Sequence, residues 1–276
     1  MQIKSLKRLQ FLIGYRVETL KSIAGSPNKY YQYWQEPKVN KDGTPKIKGG
    51  EIQYRDLCTV VDDLEDIQNR ILKTILNTIP LKSCVKGGIK RTSNIDNANY
   101  HKGKKYHFCI DLKDFFPSIS NRMVYNMLVD VGFSADVSSL LTKLTTINGN
   151  LPQGTHTSTA IANLVFSSTD KKLINLFDNE NIIYTRWVDD LTFSSQIDFH
   201  DICNHIVTII ISDGYLISHR KTYYKIGPVK ITGIITKNNI LKTPKEIKNK
   251  LLRSGLTQEQ KDGIENYIKR VEQSQR

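Results

Sequence analysis

Two adjacent carboxylates, Asp189 and Asp190, interrupt an apolar stretch that runs Ile182-Ile183-Tyr184-Thr185-Arg186-Trp187-Val188 before them and Leu191-Thr192-Phe193 after them. Like charges side by side repel and cost free energy unless something positive holds them. The flanking runs, rich in Ile, Tyr, Trp, Val and Phe, predict two strands with a tight connection that carries both carboxylates at its tip. Carboxylate oxygens suit a hard divalent cation such as Mg²⁺. An isolated Asp-Asp pair is more often a solvated turn, so the pair needs company. It has some in Tyr106-His107-Phe108-Cys109-Ile110-Asp111, an apolar strand that ends in a third acid. One antiparallel sheet that brought the three acids together would hold two Mg²⁺ ions for in-line phosphoryl transfer. One ion would lower the pKa of an attacking hydroxyl and the other would steady a leaving pyrophosphate. Asp114, three residues beyond Asp111, points differently along a strand and reads as structural.

The elements around these acids set their positions. Residues 1–30 read as helical and basic, with apolar positions at Leu6, Leu9, Ile13, Val17 and Leu20. Residues 31–55 are loop-rich and charged, with Gly and Pro enough for turns and a basic hairpin. Helical periodicity returns over 62–79, with Leu64, Ile67, Ile71, Leu72, Ile75 and Leu76 on one face. After the Asp111 strand the pattern predicts helices at about 121–130, at about 135–145 with Ser134 as N-cap, and from Ser158 onward. An apolar helix is expected around 200–212, with short strands at 215–217 and 229–232. The C-terminal 40 residues carry two capping-box patterns, Thr243-Pro244-Lys245-Glu246 and Thr257-Gln258-Glu259-Gln260. They read as a small helical subdomain with Lys261, Lys269 and Arg270 on its surface.

Composition narrows the partners. The 276 residues carry 40 Lys plus Arg against 27 Asp plus Glu, a formal net charge of +13. Such an excess implies a polyanion, nucleic acid before membrane, because each basic group placed on a phosphate releases counterions. The 39% hydrophobic fraction supports a core. Apolar runs such as 206–211 are far too short to span a bilayer. No signal peptide is read, and a cytoplasmic protein is expected. Cys58, Cys84, Cys109 and Cys203 are widely spaced without CxxC and read as buried free thiols, not zinc ligands.

In this order the motifs resemble a family. Asp111-Leu112-Lys113-Asp114-Phe115-Phe116-Pro117-Ser118-Ile119 looks like motif A of reverse transcriptases of the bacterial retron and group II intron type. Leu151-Pro152-Gln153-Gly154-Thr155-His156-Thr157-Ser158 resembles motif B, Trp187-Val188-Asp189-Asp190 motif C, and Lys221-Thr222 the end of motif D. Upstream, Arg55, Leu57, Leu64, Ile67 and Gln68 fit the family's RxI…LxxIQ pattern. Asn97-Ala98-Asn99-Tyr100-His101 matches the NAxxH signature of the retron branch, and Ile231-Thr232-Gly233 resembles its VTG. The chain departs from the pattern at Trp187, where Tyr is usual, at Thr159, Ser218 and Val60, and in its short C-terminal region.

The resemblance implies an α+β right-hand polymerase: fingers over 1–105, a palm with an antiparallel sheet over 106–236 and a short helical thumb over 237–276. It implies Asp111, Asp189 and Asp190 as ligands of two Mg²⁺ ions, for which Mn²⁺ would substitute, and Lys221 as a proton donor to pyrophosphate. Lys38 and Arg55 would hold the dNTP triphosphate, Phe116 would exclude a ribose 2′-OH, and Gln153 and Gly154 would approach the nucleotide and template. Asn97, His101, Lys261, Lys269 and Arg270 would contact RNA. It further implies a cognate noncoding RNA copied into DNA from an internal 2′-OH, anti-phage defence and an effector or toxin partner, without a membrane. The competing readings are another defence-associated reverse transcriptase, or an RNA-binding scaffold with an inactive polymerase centre.

Overall fold

The computed structural model describes residues 2–40, 43–177, 181–252 and 255–274. Lys41 and Asp42 of the expected basic hairpin lie outside the described residues. In chain order the helices are α1 (Leu6–Ile13), α2 (Val17–Gly25), α3 (Asp62–Thr74), α4 (Asn94–Tyr100), α5 (Phe115–Ser118), α6 (Asn121–Asp130), α7 (Ala135–Thr145), α8 (Ser158–Leu176), α9 (Cys203–Ser212), α10 (Lys245–Lys248) and α11 (Gln258–Gln273). The strands are β1 (Tyr31–Pro37), β2 (Ile47–Lys48), β3 (Glu51–Ile52), β4 (Tyr54–Val60), β5 (Tyr106–Lys113), β6 (Ile183–Trp187), β7 (Asp190–Ser195), β8 (Leu216–Ile217), β9 (Tyr223–Ile226), β10 (Val229–Ile231), β11 (Ile234–Lys237) and β12 (Ile240–Lys242). The class is α+β. The chain divides into two compact units, Met1–Lys82 with Asp114–Ser168, and Ser83–Lys113 with Thr169–Arg276.

In the first unit, the helical stretch expected over 1–30 breaks at Gly14. That residue is left-handed (φ +78°), and its N–H donates to the Gln10 carbonyl at 2.7 Å. A Cβ there would also meet Arg70 Nη1 at 2.7 Å, and the same guanidinium nitrogen donates to the Ile13 carbonyl at 3.1 Å. Leu9, Ile13, Leu20, Leu64, Ile67 and Ile71 are fully enclosed, which accounts for the helical spacing of apolar residues along α1 to α3. Gln68, on the buried face of α3, donates to the Leu144 carbonyl at 2.9 Å and accepts from Thr157 Oγ1 at 3.3 Å. This polar side chain ties α3 to α7 and to the turn before α8. The loop-rich, charged segment builds a hairpin whose arms are longer than the turn signals suggest, with β1 and β4 antiparallel from Tyr31↔Val60 to Pro37↔Tyr54. Ser134 does cap α7 in position, but its hydroxyl donates to the Asp136 carboxylate and makes no bond to the helix backbone.

The second unit is built on an antiparallel sheet in the order β6-β7-β5, with β9 and β8 paired successively along the far edge of β5. Its apolar packing centres on Phe193. The Tyr184 ring stacks on it at 4.6 Å, and Phe177 and Phe108 lie 5.6 and 6.1 Å away. A second sheet, β10-β11-β12, packs with α4 and α11 through Ile95, Ala98, Val229, Ile231, Ile234, Leu241 and Val271. The C-terminal stretch expected to be helical therefore starts with a strand, β12. Of its two capping boxes only the second forms. Thr257 Oγ1 accepts from the Gln260 N–H at 3.3 Å, and Gln260 Oε1 accepts from the Thr257 N–H at 3.1 Å. At the first, Pro244 takes the N-cap place, and Thr243 sits before the helix with its hydroxyl buried and unpartnered. Among the described residues no helix is long and apolar enough to cross a membrane.

Candidate active site

β6 and β7 form the hairpin that the apolar runs predict, with Val188 and Asp189 as the two residues between paired Trp187 and Asp190. Val188 adopts φ +58°, a strained conformation for a β-branched residue. Asp190 opens β7 and pairs directly with Asp111 on β5. Opposed residues of antiparallel strands send their side chains to one face with Cβ atoms about 5 Å apart, so these two carboxylates are neighbours. The ladder continues one step, because the Leu112 N–H donates to the Asp189 carbonyl at 2.9 Å. On the other edge of β5, the Ser218 N–H donates to the Asp111 carbonyl at 2.8 Å. Three residues later Lys221 Nζ stands 2.5 Å from Asp111 Oδ2. Burial first, then the charges of Asp189 and Asp111, push the Asp190 carboxyl up to about 7, and Lys221 only partly opposes them.

That upward shift reflects burial first and the crowding of three carboxylates second. Among the described residues no three His, Cys, Asp or Glu side chains already stand as a ready ligand set, and the Asp111 carboxylate is engaged by Lys221. The donors nevertheless fit a hard divalent cation, which would relieve the repulsion among these carboxylates.

The first unit carries the remaining candidates. Phe115 is buried and meets the Phe166 ring edge-on at 5.8 Å, so the core aromatic of this pair is Phe115, while Phe116 is only half-buried. Asp114 leaves the strand direction with φ +48° and starts α5, as its spacing suggested. The Gln153 carbonyl accepts from the Cys58 N–H at 3.0 Å, which docks the motif B turn on β4. Gly154 has φ +113°, and a Cβ there would lie 2.6 Å from the Cys58 carbonyl oxygen. Gly154→Ala should therefore displace this turn and destabilise the protein by about 1–3 kcal/mol, seen as a lower urea midpoint. Arg55 is exposed opposite Glu36, and the Lys38 N–H extends the ladder by donating to the Gln53 carbonyl at 2.7 Å. Alternation along the strand puts Lys38 and Arg55 on the same face of the hairpin.

Residues 39–236 match the family model described as reverse transcriptase (RNA-dependent DNA polymerase). The chain belongs to the reverse transcriptase family. It is 32% identical over 200 residues to the retron Ec86 reverse transcriptase of Escherichia coli, a match covering 70% of this chain and 61% of that protein. Over 258 residues it is 29% identical to the retron Se72 reverse transcriptase of Salmonella heidelberg, covering 88% of this chain and 65% of the relative. The retron Mx162 reverse transcriptase of Myxococcus xanthus is 31% identical over 183 residues, or 60% of this chain and 36% of that protein. The chain thus spans less than two thirds of the length of these relatives.

The geometry corrects two expected RNA contacts. Asn97 is 1% exposed and His101 0% exposed, so neither offers a surface to RNA. His101 is hydrogen-bonded at both ring nitrogens, Nδ1 to Ser194 Oγ and Nε2 to Thr185 Oγ1, each at 2.7 Å. Asn97 Nδ2 donates to Thr232 Oγ1 at 3.4 Å. The two signature segments, around Asn97 and around Thr232, thus lock α4 onto the neighbouring sheets. Burial, then nearby His107 and Lys104, push His101 down to about 3, so it stays neutral in the fold. The unfolded chain takes up that proton below about 6.5, so stability is full above this value and falls as pH drops. The loss should reach about 2 kcal/mol at pH 5. Urea titrations from pH 7.5 to 5 should show a shallower decline in His101→Gln. Lys269 and Arg270 are exposed on α11 and Lys261 is half-buried, positions open to a polyanion.

The motif reading assigned no role to Arg186, Asp170 or Gly87. Arg186 and Asp170 are completely buried and paired, Nη2 to Oδ2 at 2.7 Å and Nε to Oδ1 at 3.0 Å. The available signal was an arginine inside an apolar strand pattern, which burial permits only with a partner.

Proposed function

We propose that this chain is an RNA-directed DNA polymerase of the retron type. It copies a cognate structured noncoding RNA into DNA by Mg²⁺-dependent nucleotidyl transfer, beginning from an RNA 2′-OH. It acts in the cytoplasm, in anti-phage defence, with an effector protein as partner. The observation that carries the reading is the cross-strand pairing of Asp111 with Asp190 beside the Asp189 turn, with Lys221 against Asp111. The retron branch is supported by the named relatives and by the Asn97–His101 segment.

Asp111, Asp189 and Asp190 are the residues that would hold the metal. When bound, divalent ions would lower the pKa of the attacking hydroxyl and stabilise charge on the leaving pyrophosphate. Lys221, 55% exposed at its side chain, is the group that would give a proton to that pyrophosphate. Lys38 and Arg55 offer cations to the triphosphate, Arg as a planar fork. Gln153 and Gly154 shape the turn that approaches the base pair, and Phe116 excludes the ribose hydroxyl. Fingers, palm and thumb correspond to 1–105, 106–236 and 237–276, and Lys261, Lys269 and Arg270 on α11 contact the duplex backbone.

The test is the nucleic acid that copurifies with the protein from its native locus. It is treated with RNase, DNase and a 2′,5′-debranching enzyme, beside an Asp189→Ala/Asp190→Ala double variant. DNA that shifts on debranching and is missing from the variant is the expected result. Unbranched DNA would favour a different defence-associated reverse transcriptase, and RNA alone would favour a scaffold.

A further inference from the structure

Completely buried ion pairs are a poor way to stabilise a core. An apolar pair of similar volume does as well or better, because removing two charges from water is costly. The Arg186–Asp170 pair therefore needs another reason to exist. Its surroundings supply one. Asp170, on α8, accepts from Arg186 Nε and Nη2 and from the Tyr184 hydroxyl at 2.7 Å, which fixes the plane of the guanidinium. From that plane Arg186 Nη1 donates to the Val188 carbonyl at 3.1 Å. Val188 is the strained residue immediately before Asp189.

The same turn is backed by the chain at 84–87. The Arg186 N–H donates to the Cys84 carbonyl at 2.8 Å, and the Arg186 carbonyl accepts from the N–H groups of Lys86 at 2.8 Å and Gly87 at 3.3 Å. A Cβ on Gly87 would lie 2.7 Å from the Val188 nitrogen and 2.8 Å from the Trp187 Cα. Nothing larger than glycine fits against the turn.

We propose that Arg186 and Asp170 are positioning residues that hold the strained Val188–Asp189 turn, with Gly87 behind it, so that Asp189 and Asp190 are presented as a cation site. This rests on the reading of these carboxylates as metal ligands. A lysine at 186 would keep the charge opposite Asp170 but lose the fork that reaches Asp170 and Val188 together.

The test compares the full chain with Arg186→Lys, with Arg186→Met/Asp170→Leu and with Gly87→Ala. Each protein is measured for its urea midpoint, for Mn²⁺ binding by electron paramagnetic resonance, and for kcat and KM in dNTP incorporation. The apolar double variant should stay folded with a modestly lower urea midpoint, because it strands the buried Tyr184 hydroxyl and the Val188 carbonyl, while its kcat and Mn²⁺ affinity fall about 10–100-fold, with KM for dNTP little changed. Arg186→Lys and Gly87→Ala should move in the same direction. A folded double variant or Arg186→Lys with kcat and Mn²⁺ affinity within about twofold of the parent overturns the proposal. So does a double variant that cannot fold, since the pair would then hold the scaffold and not the turn. A parent that binds Mn²⁺ yet incorporates no dNTP would remove the polymerase reading, and the Mn²⁺ comparison would still judge this inference.

Discussion

Alanine in place of Asp111, Asp189 or Asp190 is expected to lower dNTP incorporation by about 10³-fold or more, because on the proposed function each would remove a metal ligand from charge stabilisation worth several kcal/mol. A second consequence separates a site residue from a scaffold residue. Burial and two neighbouring carboxylates raise Asp190 to about 7 from an ordinary 3.8. An acid whose folded pKa lies above its unfolded value penalises the fold. The penalty is absent below the unfolded value, grows as pH rises, and levels off above the folded value. At about 1.4 kcal/mol per unit it has a ceiling of ~4 kcal/mol in metal-free protein. Asp190→Asn removes the charge and keeps the shape. In EDTA its urea midpoint should exceed the parent's at pH 8, with the advantage gone by about pH 4, while polymerisation is lost. A variant that lost activity and stability together would put Asp190 in the scaffold.

The acids of the candidate site are legible in the sequence. The acids end or interrupt apolar strand patterns at Ile110-Asp111 and Val188-Asp189-Asp190, and the sheet register then brings Asp111 opposite Asp190. The periodic helices α3 and α6 announce themselves through burial on one face, whereas α8 is enclosed on all sides over residues 161–166. The β1–β4 hairpin does not: of the seven residues of β1 only Tyr31 is buried, so pairing defines the strand and no hydrophobic alternation betrays it. β9, β11 and β12 are three or four residues each, too short for a period to show. Asn97 and His101 are RNA contacts only by what the NAxxH resemblance implies, and nothing in the short segment itself shows that both are buried. Their partners, Thr232, Ser194 and Thr185, lie about 84 to 135 residues away in sequence, and only the tertiary fold brings them in. The same holds for Arg186, whose partner Asp170 sits 16 residues earlier on a helix.

The second large effect concerns sugar selection. Phe115 and Phe116 are adjacent, with ring centroids 5.8 Å apart, and the motif A resemblance gives the gate to Phe116. Phe115 is 3% exposed and packs on Phe166, so the core claims Phe115 and leaves Phe116 partly accessible at the start of α5. An accessible planar ring discriminates by a clash with the wrong ligand, and that kind of discrimination is removed by truncation. Phe116→Ala should therefore lower the ratio of kcat/KM for dNTP over the matching NTP by about tenfold to a hundredfold, mainly by raising NTP use. Because Phe116 is only half-buried, the urea midpoint should fall less than for Phe115→Ala, where loss of a buried ring costs about 3–5 kcal/mol. Competition of dCTP with CTP in single-nucleotide extension reads the ratio directly. An unchanged ratio in a folded Phe116→Ala variant would remove Phe116 from the gate. Discrimination lost in Phe115→Ala but kept in Phe116→Ala would assign the role to the buried ring, acting through the position of α5.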